Sequence, residues 1–306
     1  MPIDCLAATK RRSSAQRCKR GGRGPRQRRD APAASLAVLA LLLSAALALG
    51  ACANAGKGAA GTFTPRVAGT LTVATAQIPD PGFWQGTFAH PTGGFEYALA
   101  QEFAKRFGLS RIKVLYVPFH QLVRGHLGGA DLALSDITIT DARAEYLDFS
   151  TPYMKAPPAI LVRPGTEVPD VNAARSLHWA VQHDTTLKEA LETQIEPTTK
   201  TLVFEHQREK LAALADGRVS AVLLDLPVAL AYARESPHTY EVAAQLPSEA
   251  VLGVALPSGS GNVEAVDSAI RALKAEGEID RIGQRWLHAD IEEGVDEGVP
   301  VLRTEE

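Results

Sequence analysis

Between Ala31 and Ala51 the chain runs for 21 residues without one charged side chain. About 20 apolar residues are enough to cross the hydrocarbon of a bilayer, so this stretch is either a membrane span or an export signal. It is not material for the core of a water-exposed domain, and it divides the chain. Residues 1–51 carry ten Lys/Arg against Asp4 and Asp30, a net of +8. From position 52 onward, 22 basic residues face 33 acidic ones, a net of −11. The overall −3 therefore joins two segments of opposite character. An acidic body excludes nucleic acid as a partner, because that needs a basic footprint.

The apolar stretch ends in Leu49-Gly50-Ala51-Cys52. Small residues suit a signal-peptidase site, and the cysteine behind them resembles the lipobox of bacterial lipoproteins, whose thiol is lipidated and becomes the new N-terminus. The alternative is an uncleaved signal anchor with an incidental cysteine. Cys5 and Cys18 lie upstream, so the 255 residues from Cys52 onward keep one cysteine and no disulfide, and that length suffices for a core. Residues 1–51 thus read as a basic leader and lipoprotein signal peptide, and 52–66, rich in Gly and Ala, as a flexible tether. The expected location is the extracytoplasmic face of a bacterial cell membrane, lipid-anchored at Cys52. Gly56-Lys57-Gly58 is no P-loop, since the glycine spacing is wrong and no Ser/Thr follows the lysine.

From Gly69 the pattern alternates between strand-like and helix-like segments, as in an α/β fold. Strands are predicted at Thr70–Thr75, Ile112–Val117, Ala130–Leu134, Ala159–Val162, Leu177–Val181, Thr201–Phe204, Val219–Leu224 and Val251–Leu256. Phe95, Leu99 and Phe103 form an apolar helix stripe that Gly108 ends. Further helices are predicted at 119–127, 187–195, 207–215, 227–234, 263–276 and 278–287. The proline-rich Ser150–Pro158 interrupts the pattern halfway, where the chain would leave one lobe for another. Residues 291–306 are acidic, poor in large apolar groups and expected to be disordered. No cofactor is implied, and no metal-ligand cluster appears.

The block ADLALSDITITDARAEYLDFS (Ala130–Ser150) resembles D-x-x-x-x-x-x-T-I-T-x-x-R-x-x-x-x-x-F-S of the bacterial extracellular solute-binding proteins that serve polar-amino-acid ABC transporters, family 3. Four weaker motifs follow in the family's order. Gly93-Gly94-Phe95-Glu96 with Leu99 is similar to its G-F-x-x-x-L, and Gln182–Thr186 to Q-x-G-T-T. Gly217-Arg218-Val219 with Asp225 is similar to G-R-V-D-A-x-x-x-D, and Gly277 with Trp286 to the terminal segment. The resemblance implies a type II periplasmic-binding-protein-like fold: two α/β lobes joined by two hinge strands with a central ligand cleft. Lobe 1 would comprise 67–157 plus 256–290, and lobe 2 158–255.

The resemblance also implies a site. Arg143 matches the arginine whose planar fork takes the ligand carboxylate; the alternative is a solvated arginine flanked by Asp141 and Glu145. Thr138 matches a hydroxyl donor to the same carboxylate, while Thr140 is expected to cap the following helix. Thr185 and Thr186 would complete the anion site at a helix start, with Thr186 and Glu189 also fitting a capping box. Asp184 stands where the family has glycine. Asp225 is the candidate for the ligand ammonium, its alternative being an N-cap for the helix at Pro227. Asp136 lies at the matching edge of lobe 1, where its backbone carbonyl would meet the ammonium. Phe83 and Phe119 are expected to line the cleft, or else to belong to the core. Ala76-Gln77, in place of an acid after the first strand, points to a neutral, glutamine-like ligand.

The expected function is capture of a polar amino acid by a monomer and delivery to a separate ABC permease with its ATPase subunit. The rival is an extracytoplasmic, dehydratase-like enzyme of the same fold, with His120, His183 or Glu96 as general acid. A zwitterion clamp needs no catalytic group, so a non-enzyme is expected.

Overall fold

The computed structural model describes residues 61–291, 294 and 298–302, all within the unit Ala59–Glu306. The leader, the apolar stretch, Cys52 and most of the tether lie outside the described residues.

Two five-stranded sheets carry the architecture. The first has the order β4 (Arg111–Tyr116), β1 (Thr70–Thr75), β5 (Leu132–Ala133), β14 (Ala255–Pro257), β6 (Leu147–Phe149). β1 pairs in parallel with β4 from Thr70↔Arg111 to Thr75↔Tyr116 and with β5 on its other side, whereas β14 runs antiparallel to β5 and β6. All six residues of β1 are buried, threonines included, because a central parallel strand is covered on both faces. The second sheet has the order β10 (Leu202–Phe204), β9 (Trp179–Gln182), β11 (Ala221–Asp225), β8 (Pro158–Val162), β12 (Glu241–Gln245).

A ribbon of two short strands, β7 (Met154–Lys155) and β13 (Val251–Leu252), pairs antiparallel where the chain passes from the first sheet to the second and returns. These are the two α/β lobes and paired crossing strands that the sequence resemblance implies. The single strand predicted at Val251–Leu256 is in fact two. Val251–Leu252 belongs to the ribbon and Ala255–Pro257 to the first sheet, with Gly253 between them packed against Ile139, leaving no room for a Cβ.

The helix Phe95–Arg106 lays Phe95, Leu99 and Phe103 into the core, as its stripe predicts. Its entry depends on two glycines. Gly94 has φ +107, and a Cβ there would lie 2.1 Å from the carbonyl oxygen of Phe83. A Cβ on Gly93 would lie 2.2 Å from the Trp286 ring. Backbone and ring thus close in directly, which seats the helix start and the residue after Phe95, Glu96, under the first sheet.

The expectation of disorder over 291–306 fails for 298–302. Gln245 N–H donates to Pro300 O at 2.9 Å and Leu302 N–H to Gln245 O at 2.7 Å, so the segment runs along β12. β12 is an edge strand with backbone groups to satisfy. Leu302, 4% exposed, enters the core cluster of Ile160, Ala244 and Leu246. Acidic composition hid one well-placed apolar anchor. Leu302→Ala should therefore cost about 2 kcal/mol in urea denaturation. A loss below about 0.5 kcal/mol, the range of ordinary surface changes, would mean that the segment contributes nothing to the fold.

Candidate functional site

The strand ends of the two sheets face one another across a cavity of about 780 Å³, a size typical of small-molecule sites. Seven of the singled-out residues line it: Phe119, Asp136, Thr138 and Arg143 from one side, Thr185, Thr186 and Asp225 from the other. Phe83 does not. It is fully buried with its ring 6.1 Å from Phe95, and its neighbour Trp84 reaches the cavity instead. The turn Asp80–Trp84, closed by Asp80 N–H to Trp84 O at 2.8 Å, leaves adjacent side chains on opposite sides.

One end of the cavity is cationic. Arg143 leaves the short helix Asp141–Ala144, whose first turn is capped by Thr140 Oγ1 accepting from Arg143 N–H. Its Nη1 donates to Thr138 O at 2.8 Å and its Nη2 to Asp184 O at 3.5 Å, with the guanidinium carbon 5.5 Å from the Phe119 ring centre. These contacts hold the fork in place without neutralising it. Burial pulls the Arg143 pKa down to about 10, opposed by Asp225, Asp136 and Asp184, so it stays cationic.

The helix cap at Thr186–Ala190 is Thr185, not Thr186. Thr185 Oγ1 accepts from Lys188 N–H and donates to Gln182 O. That frees the Thr186 hydroxyl, 3.3 Å from Thr138 Oγ1 across the cleft. Asp184 has φ +58, a left-handed backbone that explains why glycine would also suit, and that Asp tolerates better than most residues. Its carboxylate pairs with Arg124 of the first lobe at 2.8 Å rather than entering the anion site.

The other end is acidic and was only partly legible. Asp225 ends β11 at the N-cap position of the helix Leu226–Glu235, yet its side chain makes no capping bond and is left to the cavity. Behind it sits Lys210, fully buried, with Nζ donating to Leu223 O at 2.9 Å; burial lowers its pKa to about 8 against the pull of Asp225, Asp136 and Asp80. Asp80 was missed as well. Its Oδ1 accepts from Gln77 Nε2, Gln207 Nε2 and Tyr232 Oη at 3.1–3.3 Å, and burial pushes its pKa up to about 7. Both left a trace in the sequence. Lys210 shares an apolar helix stripe with Leu214, and Asp80 lies between two prolines just after a buried strand.

Glu96 lies behind the cavity rather than in it. Its carboxylate accepts from Trp84 Nε1 at 2.6 Å, Tyr153 Oη at 2.7 Å and Asp136 N–H at 2.8 Å, and burial raises its pKa despite these bonds. It holds elements together and does not face a ligand.

The family model described as bacterial extracellular solute-binding proteins, family 3, matches residues 73–289. The L-cystine-binding protein TcyJ of Escherichia coli (strain K12) is 27% identical over 226 residues, 73% of this chain and 84% of that protein. An ancestral arginine-binding protein solved with glutamine bound superposes with a TM-score of 0.64 at 27% identity, over 72% of this chain and 99% of that one. The arginine-, lysine-, histidine-binding protein ArtJ from Geobacillus stearothermophilus gives 0.64 at 26% identity, over 72% and 96%.

The raised carboxyl groups bear on stability with a definite sign. A group whose folded pKa lies above its unfolded value stabilises the fold at low pH and loses that contribution as pH rises through the folded pKa. For Asp80 the window runs from about 4 to about 7. Asp80→Asn keeps an oxygen acceptor and removes the titration. Relative to this variant, the ligand-free wild type should lose on the order of 2–4 kcal/mol of stability between about pH 4 and pH 7, read by urea denaturation. A constant difference across that range would contradict the burial of an ionisable Asp80.

Proposed function

The chain belongs to the bacterial extracellular solute-binding proteins, family 3, and from that premise we propose that it is the lipid-anchored substrate-binding component of an ABC importer for a polar amino acid. The observation that carries the reading is the charge pattern of the cleft. An unneutralised arginine with two threonine hydroxyls stands at one end, and carboxyl groups from both lobes stand at the other. That is the complement of an amino-acid zwitterion. Desolvating both of its charges is costly unless each gains charge-assisted hydrogen bonds.

Capture then works by lobe closure. Direct contacts cross the cleft: Arg124 to Asp184, His120 to Glu205 at 2.7 Å, and Asp80 to Gln207 and Tyr232. A ligand touching both lobes favours the closed arrangement by its differential affinity for it. The closed complex would dock on a permease with its ATPase subunit, as separate chains. Cys52 would hold the protein, as a monomer, at the extracytoplasmic membrane face.

Glutamine is the first choice of ligand, since its amide can donate to Asp80 and accept from Gln77 or Gln207. A cationic side chain is the second, favoured by the buried Asp80 carboxyl, which stands where the absence of an acid at Ala76-Gln77 pointed to neutrality. An enzyme is disfavoured. Glu96 is engaged by three protein donors out of reach of a ligand, while His120 and His183 are paired with Glu205 and Asp184.

A thermal-shift screen against the common amino acids should single out such a ligand, because binding to the native state raises the melting temperature. Arg143→Ala should then weaken it about 100-fold by calorimetry, since the ligand carboxylate stays buried without its main partner. Near-wild-type affinity would refute the anion site. Cys52→Ser should move the protein from the membrane fraction to the soluble extracytoplasmic fraction; unchanged membrane retention would refute the lipid anchor.

A further inference from the structure

Asp136 and Asp225 reach the cleft from opposite lobes, one just beyond β5 and the other at the end of β11. Both line the same cavity, and the Asp225 charge acts on Asp136 more strongly than that of any other group. Two like charges facing one another where little water reaches cannot both persist, so the pair keeps a proton unless a cation lies between them. No N–H or O–H among the described residues reaches the buried Oδ1 of Asp136. The backbone is committed to this arrangement. Asp136 has φ +53, a left-handed conformation costly for a residue with a side chain, and its N–H is held by Glu96 Oε1. Glu96 is itself fixed by Trp84 and Tyr153.

The surroundings decide what can sit between the two carboxyls. Glu96 and Asp80 add negative potential from the first lobe, the Tyr153 hydroxyl lies behind Glu96, and Lys210 and Arg143 supply the cations. Burial, then Asp225, Glu96 and Asp80 push the Asp136 pKa well above the carboxylate range, while Asp225 rises to about 6 through burial, opposed by Asp136, Lys210 and Arg143. Before a ligand binds, one proton satisfies the pair. An ammonium, which brings one positive charge and three donors, satisfies it equally and needs both carboxylates ionised.

Building on the amino-acid reading above, we infer that Asp136 and Asp225 form a two-lobe carboxylate clamp for the ligand ammonium, and that capture expels the proton the clamp holds when empty. The balance is simple: the Asp136 O–H bond breaks, its proton goes to solvent, and the ammonium keeps its three N–H bonds while donating to both carboxylates. Asp136 thereby acts through its side chain, beyond the backbone carbonyl expected from the sequence, and selects ligands with a free, cationic amino group. Because a proton leaves on binding, affinity rises with pH by up to about tenfold per pH unit while the empty pair is singly protonated.

Calorimetry tests this on the purified protein with L-glutamine and with L-arginine, near pH 6.5, in buffers of different ionisation enthalpy. The wild type should release close to one proton per amino acid bound. Asp136→Asn, which tolerates the left-handed backbone and cannot titrate, should release close to none and lose the pH dependence. The N-acetylated amino acids, lacking the ammonium, should not bind the wild type. Binding without proton release, or the same release from Asp136→Asn, overturns the clamp and leaves the amino-acid reading standing. Failure of every amino acid to bind overturns that reading and the clamp with it.

Discussion

Five buried ionisable side chains, Asp80, Glu96, Arg143, Lys210 and Asp225, and the half-buried Asp136 line the cavity or lie just behind it, with little water to solvate them. An isolated buried charge is too expensive to keep, so each must find a partner, a proton or a ligand. The rest of the molecule is arranged around that demand. Lys210 is held by a strand carbonyl beneath Asp225, Arg143 by two carbonyls from opposite lobes, and Asp80 by three side-chain donors. The two sheets bring these groups together, and separating them from water is costly.

Glu96 is the joint between fold and site. It lies in the first turn of a helix whose start is pressed against Phe83 through Gly94, where a carboxylate also suits the helix dipole. Its oxygens then tie three places together: the loop at Trp84, the segment after the central strand of the first sheet at Asp136, and Tyr153 beside the crossing ribbon. A change in the ribbon is therefore mechanically linked to the backbone that carries Asp136. The outer contacts across the cleft, Arg124 with Asp184 and His120 with Glu205, are more exposed and correspondingly weaker.

Much of this was legible in the residues. Alternating periodicity located most strands of both sheets to within a residue or two, and Thr70–Thr75 and Gln207–Ala215 coincide with the predicted elements. The Thr138 to Arg143 spacing placed both residues at the cavity, because a strand end followed by a capped helical turn is a local arrangement. Local reasoning erred where neighbours in sequence part company in space. Phe83, expected either in the cleft wall beside Phe119 or in the core, is sent into the core by the turn at Asp80–Trp84. Thr185, and not the Thr186 of the capping-box pattern, caps the helix, a one-residue offset that leaves the Thr186 hydroxyl facing Thr138 across the cleft. The acidic tail was read by average composition, which cannot see that a single leucine finds an edge strand.

The sequence by itself determined the division into a basic and apolar N-terminal segment and a folding segment, the α/β order and the family motifs, since these depend on periodicity and on residues close along the chain. Tertiary structure alone decided that Asp80 and Lys210 belong to the cleft and that Asp136 meets Asp225. Protonation and selectivity there are set by burial and by charges from distant segments, and neither desolvation nor the meeting of two strand ends is written in local spacing.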